Sequence, residues 1–221
     1  MSDKTYRAKQ HDRIRRKQKD NDDTVHHPQE KIGQIQNVLK GENGLKILEL
    51  FAGKGNLSAI YQQYGKVDAY DKKLKTGDSY LEYHRLIAEG KIYDVVDLDP
   101  YGFPNRFFPD VFLLMEDAYL FVTMPKPFVN VLNGITQQHL TCYYGMGNPT
   151  LEVIVKKIRL YGLCHWREVK LIDELDMGRL WRLVFSVKVV KATEYCGVKN
   201  RPDKKDIEKI KNKPVQQLMF E

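Results

Sequence analysis

An apolar run that ends in a glycine-rich turn and gives way to helical spacing constrains this chain most. Leu45-Lys46-Ile47-Leu48-Glu49-Leu50-Phe51 reads as a strand and Ala52-Gly53-Lys54-Gly55-Asn56 as the turn. Leu57, Ile60, Tyr61 and Tyr64 mark one face of the helix that follows. Glycines at 53 and 55 let backbone approach a ligand closely. The same alternation then repeats. Val67-Asp68-Ala69-Tyr70-Asp71 reads as a second strand ending in an acid, and Gly77-Asp78-Ser79 stands where a third would end. Tyr80 to Glu89 has helical spacing, and Ile92-Tyr93-Asp94-Val95-Val96 is a further buried strand. Strands alternating with helices predict an α/β fold with a mostly parallel sheet.

That last strand runs into Asp97-Leu98-Asp99-Pro100-Tyr101-Gly102. Proline cannot continue a central strand, so the chain must leave the sheet at Pro100. A carboxylate, a rigid turn and an aromatic ring then meet at a strand's carboxyl end, the side on which open α/β sheets bind ligands. Farther on, Val111 to Ala118 reads as a helix and Tyr119 to Met124 as a fifth strand. The polar stretch after Pro125-Lys126-Pro127, with Asn130, Asn133, Gln137, Gln138 and His139, reads as a loop beyond a strand end, either lining a substrate pocket or lying on the surface. Leu151 to Tyr161 is amphipathic. Trp166 to Leu175 and Arg179 to Val190 read as an antiparallel hairpin around Asp176-Met177-Gly178.

Three nucleotide-type ligands suit a glycine turn behind a strand. A phosphate-cradling loop needs Gly-Lys-Ser/Thr, and here Lys54 is followed by Gly55. A dinucleotide fingerprint needs a third glycine where Ser58 or Ala59 stands. The dinucleotide match is thus incomplete; the third ligand is S-adenosylmethionine, and the order of acids supports it. Asp71, about twenty residues past the first strand, is placed to accept from ribose hydroxyls, and Asp78 to face an adenine amino group.

Glu49-Leu50-Phe51-Ala52-Gly53-Lys54-Gly55-Asn56 resembles motif I of the class I S-adenosylmethionine-dependent methyltransferases. Asp97-Leu98-Asp99-Pro100-Tyr101-Gly102 resembles motif IV of the amino-group methyltransferases, in the form closest to the tRNA guanine-N2 dimethyltransferase family. Leu180-Trp181-Arg182-Leu183-Val184-Phe185-Ser186-Val187 is similar to a late strand of that family. The resemblance implies a Rossmann-like sheet of seven strands, mostly parallel, closed by a C-terminal antiparallel hairpin. It implies S-adenosylmethionine held by Glu49, Phe51, Ala52, Gly53, Gly55, Asn56, Asp71, Asp78 and Asp97. Asp99, Pro100 and Tyr101 would be catalytic, with no metal. Two departures bear on the substrate. Phe51-Ala52-Gly53 is more like the turn of DNA methyltransferases, and the tRNA family's long C-terminal part is missing.

An exocyclic base amine is a poor nucleophile because its lone pair is delocalised into the ring. Asp99 and the Pro100 carbonyl would accept its hydrogens, and Tyr101 would stack on the base. A carbon-5 cytosine methyltransferase needs a cysteine nucleophile, and no Pro-Cys pair occurs. DNA amino-methyltransferases normally carry Pro-Pro-aromatic, whereas Tyr101 follows Pro100 directly. The expected substrate is therefore a nucleic-acid amine, RNA guanine N2 ahead of DNA adenine N6 or cytosine N4. The contrasting reading is a binding module that keeps only the fold.

A net charge of +7 over 221 residues agrees with an anionic partner. Arg7, Lys9, Arg13, Arg15, Arg16 and Lys17 crowd a segment too poor in apolar residues to fold alone. The expected organisation is a basic flexible arm over 1–27, a methyltransferase domain over 28–196 and a polar Lys-rich tail over 197–221. The adjacent His26 and His27 have no further ligand near them and predict no metal site. Cys142, Cys164 and Cys196 form neither a metal spacing nor a disulfide framework, which favours a cytoplasmic, reducing compartment. No apolar run reaches membrane-span length, and Ser2-Asp3-Lys4 opens no signal-peptide core.

Overall fold

A computed structural model describes residues 27–72, 74–100, 102–127 and 137–190. The basic arm up to residue 26 and the Lys-rich tail lie outside these residues, as do Tyr101, Asn130 and Asn133. The first helix, α1 (Pro28–Val38), starts on a proline, whose missing N–H costs nothing in a helix's first turn. Lys31, Ile35 and Leu39 stand four residues apart, and all three are buried. Then come β1 (Leu45–Leu50), α2 (Asn56–Tyr61), β2 (Gly65–Tyr70), α3 (Ser79–Ala88) and β3 (Tyr93–Leu98). They are followed by a 3-10 turn (Val111–Leu114), β4 (Met115–Pro125), α4 (Gln137–Tyr144), α5 (Leu151–Cys164), β5 (Arg167–Asp176) and β6 (Leu180–Val189).

The sheet has the order β2-β1-β3-β4-β6-β5. β2, β1, β3 and β4 are parallel, whereas β6 pairs antiparallel with both β4 and β5. Side chains alternate between its faces. Ile47, Val95, Phe121 and Val184 pack with Ile35, Leu39, Leu57 and Tyr61 on the α1–α2 face. Leu48, Val96, Leu120 and Phe185 pack on the other face with Tyr83, Leu86, Ile154 and Ile158. The central strands are covered on both sides, which is why they read as near-continuous apolar runs. No helix of the described residues is long and apolar enough to cross a membrane.

Three expectations need correction. The sheet has six strands among the described residues, not seven, because no strand lies between β2 and α3. Lys72 to Gly77 contains a single apolar residue, Leu74, so the segment has no face to bury. Val111–Leu114 forms one 3-10 turn, and β4 begins at Met115, where a helix was expected to run on to Ala118. Met115 already pairs with Tyr93 of β3, so sheet pairing takes over from helical winding at that residue. Gln138 and His139 belong to α4 and not to an irregular loop.

Candidate active site

The parallel strands β1, β2, β3 and β4 end on one edge of the sheet, and the turn after β1 is built by unusual backbone. Phe51, Gly53 and Gly55 have φ of 67°, 60° and 83°. A phenylalanine in the left-handed region is held there at a cost of order 1 kcal/mol or more. Its amide donates to the Tyr70 carbonyl at 3.0 Å and to Ser79 Oγ at 3.1 Å. Its ring packs edge-on against Tyr80 and Phe107, with centroids 5.2 and 5.5 Å away. Ala52 is buried behind the turn, and Gly55 caps α2, whose first residue is the exposed Asn56. A Cβ placed on Gly53 would meet nothing within 4 Å. The turn thus presents bare backbone to open space.

Asp71, just past β2, accepts from the Gly53 amide through Oδ2 at 3.1 Å, so it braces the turn. Its own amide donates to Thr76 Oγ1 at 3.2 Å. Asp78, expected to face an adenine amino group, stands at the start of α3. It is the N-cap of α3, with Oδ1 accepting from the Tyr80 amide at 2.9 Å and Oδ2 paired with Lys72 at 2.6 Å. The Lys72 ammonium and the Tyr80 amide hold its carboxyl below the usual carboxylate range.

Beneath α1 and α2 lies a buried charge network. Arg182 of β6 is fully buried and donates twice to Asp97, at 3.1 Å to Oδ1 and 2.6 Å to Oδ2. It also donates to Thr123 Oγ1 of β4 at 2.8 Å. Tyr61 donates to Asp97 Oδ2 at 2.8 Å. Asp97, expected among the cofactor ligands, is wholly buried with both oxygens engaged by Arg182 and Tyr61. Two residues on, and on the same face of the strand, Asp99 keeps 21% of its side chain exposed. Lys31 of α1 reaches Asp99 Oδ2 at 2.5 Å while only 2% exposed itself. Burial alone would raise the Asp99 carboxyl, but the Lys31 and Arg182 charges outweigh it and hold the group below its ordinary range.

Glu49 on β1 completes the network. It is 2% exposed and accepts from Ser58 Oγ at 2.5 Å. Burial, reinforced by Asp97, pushes its carboxyl up to about 8. A neutral Glu49 leaves two carboxylates, Asp97 and Asp99, facing two cations, Lys31 and Arg182, so the buried charge balances. The pH consequence has a definite sign. Between 4.5 and about 8 the folded chain keeps a proton that the unfolded chain has released, so stability falls as pH rises and levels off above that window. The slope is at most about 1.4 kcal/mol per pH unit. Glu49→Gln removes this titration, so its stability relative to wild type should grow from pH 5 to pH 8 in chemical denaturation. Parallel profiles would show that Glu49 is ionised in the folded state.

The structure brings Glu49, Asp99 and the Phe51–Asn56 turn to one edge, with Asp71 beside the turn. Pro100 follows Asp99 and is buried, and Tyr101 lies outside the described residues. Sequence reasoning missed Lys31, Tyr61, Thr123 and Arg182. Two of them left a signal. Lys31 interrupts an apolar stripe at helical spacing, and Arg182 stands inside the apolar run Leu180 to Val187. A charge in a buried pattern demands a partner.

No protein-family model and no curated protein sequence matches the chain. Among solved structures it is similar to Trm1 from Pyrococcus horikoshii in complex with S-adenosyl-L-methionine. The TM-score is 0.50 at 14% identity, over 75% of this chain and 55% of that one. The chain has the Rossmann-like methyltransferase fold. Trm5b from Pyrococcus abyssi is 15% identical over 71% of this chain and 48% of its own, with a TM-score of 0.44. The 1,6-didemethyltoxoflavin-N1-methyltransferase from Burkholderia thailandensis is 12% identical over 86% and 91%, with a TM-score of 0.47. The chain spans about half the length of the first two.

Proposed function

We propose that this protein is an S-adenosylmethionine-dependent N-methyltransferase acting on an exocyclic amino group of a nucleic-acid base, with RNA guanine N2 ahead of a DNA amine. One observation carries the reading. Leu50 and Leu98 are register partners on adjacent parallel strands, so the glycine turn after β1 and Asp99 after β3 start one strand spacing apart, about 4.8 Å. A bare-backbone cradle and an anionic acceptor thus stand side by side.

The residues present fit the cofactor. Open space in front of Gly53 admits a ligand against the backbone, and Asp71 braces the turn while its carboxylate remains the expected acceptor for the ribose hydroxyls. S-adenosylmethionine bound there would supply an electrophilic methyl group. The chain's own contribution is positioning. Asp99, held as the anion, accepts a hydrogen bond from the target N–H and localises the nitrogen lone pair as the new bond forms. The buried proline that follows fixes where the chain leaves the sheet, and its carbonyl is a second acceptor for the amine. Tyr101 supplies a ring on which a base extruded from a stem can stack. The basic segment Arg7 to Lys17 supplies phosphate contacts, in keeping with the net charge of +7.

The test is radiolabelled S-adenosylmethionine offered with tRNA, rRNA and DNA pools, followed by nucleoside analysis. Label on guanine N2 is the expected result, and label on protein alone or on no pool would overturn the reading. Calorimetry tests the cofactor turn separately. Gly53→Val puts a branched side chain at φ 60°, which L-residues rarely adopt, directly in the open cradle. It should abolish cofactor binding while the protein remains folded. Asp71→Ala should weaken binding by about 1.5–3 kcal/mol, the worth of hydrogen bonds to a charged group. Unchanged affinity in both variants would move the cofactor elsewhere.

A further inference from the structure

We infer that Lys31 is a positioning residue for Asp99, its buried ammonium clamping the carboxylate oxygen so that the group meets the target amine as a fixed acceptor. The inference rests on the amine-methyltransferase reading of the site. Lys31 lies in the first turn of α1, where a lysine ordinarily extends its ammonium into water. Here it stays 2% exposed and its Nζ lies 2.5 Å from Asp99 Oδ2, across 68 residues of sequence. Burying an ammonium costs several kcal/mol unless it is paired, so the helix holds this side chain inward only because Asp99 is there. The dependence runs both ways. A largely buried carboxyl left alone takes up a proton and becomes a donor, the wrong polarity towards an amine hydrogen.

Among the described residues, charged and polar groups from four elements surround Asp99. Lys31 comes from α1, Arg182 from β6, Glu49 from β1 and the Thr123 hydroxyl from β4. Arg182 is already bidentate on Asp97, so Lys31 is the cation committed to Asp99. The clamp also fixes the division of labour. An ion-paired carboxylate is a good hydrogen-bond acceptor and a weak base. Asp99 therefore polarises the N–H without retaining the proton: as the nitrogen gains the methyl given up by the cofactor's sulfur, the proton passes to bulk water.

The test compares wild type with Lys31→Met, which removes the charge at similar volume, and Lys31→Arg, which restores it. The Asp99 carboxyl is followed by carbon-13 NMR titration of the whole chain, with no cofactor or substrate present. Lys31→Met should raise the Asp99 midpoint by about one unit or more, and Lys31→Arg should return it towards wild type. In single-turnover methylation, Lys31→Met should shift the acidic limb of the rate profile upward by the same amount. Its rate should fall about tenfold at a pH below the new midpoint and recover at higher pH, with cofactor affinity unchanged. An unmoved Asp99 midpoint, or a rate loss equal at every pH, would overturn the inference. Should Lys31→Met fail to fold, Lys31→Gln keeps a donor without charge and carries the same two readouts. The proposed activity fails differently: wild type then methylates no nucleic acid, while the NMR shift still reports the clamp.

Discussion

Asp97→Ala should cost the fold about 3–5 kcal/mol, because it leaves the Arg182 guanidinium buried without its counter-ion. Arg182 is fully buried, and a guanidinium cannot shed its proton to escape the penalty. The same substitution removes the acceptor of the Tyr61 hydroxyl, which is also fully buried. For a domain of this size the loss should lower Tm by on the order of 10 °C. The effect belongs to the broken pair and not to the charges as such, so a double variant separates the two. Asp97→Leu combined with Arg182→Met fills the space with apolar atoms and should recover much of the stability. A single Asp97→Ala variant that melts with wild type would show that Arg182 finds another partner, and the network described above would be wrong.

The second large effect is on turnover. Asp99→Ala should slow single-turnover methyl transfer by about a hundredfold or more, the usual cost of deleting one preorganised group. Cofactor affinity should persist, because the turn after β1 and Asp71 are untouched. The structure adds a complication that sequence reasoning did not contain. Asp99→Ala also strands the Lys31 ammonium, so some stability will be lost with the activity. Asp99→Asn is the cleaner variant, since it keeps the size and one acceptor oxygen while removing the charge. If the anion is what matters, Asn should be nearly as slow as Ala. Retention of most of the activity would mean that geometry suffices. A fully active Asp99→Ala enzyme would falsify the amine-transfer mechanism.

What the sequence by itself determined is everything that depends on near neighbours. The strand β1, its glycine turn and α2 are readable because apolar runs, positive-φ glycines and helical spacing are local properties. Pro100 ends β3 for a reason internal to the residue. The β5–β6 hairpin follows from two strand-like segments around the turn Asp176-Met177-Gly178. Local spacing also leaves some roles open. Asp78 caps α3 because an aspartate before a helix is as good an N-cap as it is a ligand, and spacing alone does not distinguish the two. The tertiary structure decided which distant charges meet. Asp97 and Arg182 are 85 residues apart, and the sheet order places β6 next to β4 and within reach of β3. Lys31 and Asp99 meet because α1 lies across the same face of the sheet. A carboxylate in a strand pattern looks the same whether it faces a cofactor, as expected for Asp97, or an arginine, as found. Its partner is set by strand order and by the burial that makes an unpaired charge intolerable, and neither is a property of adjacent residues.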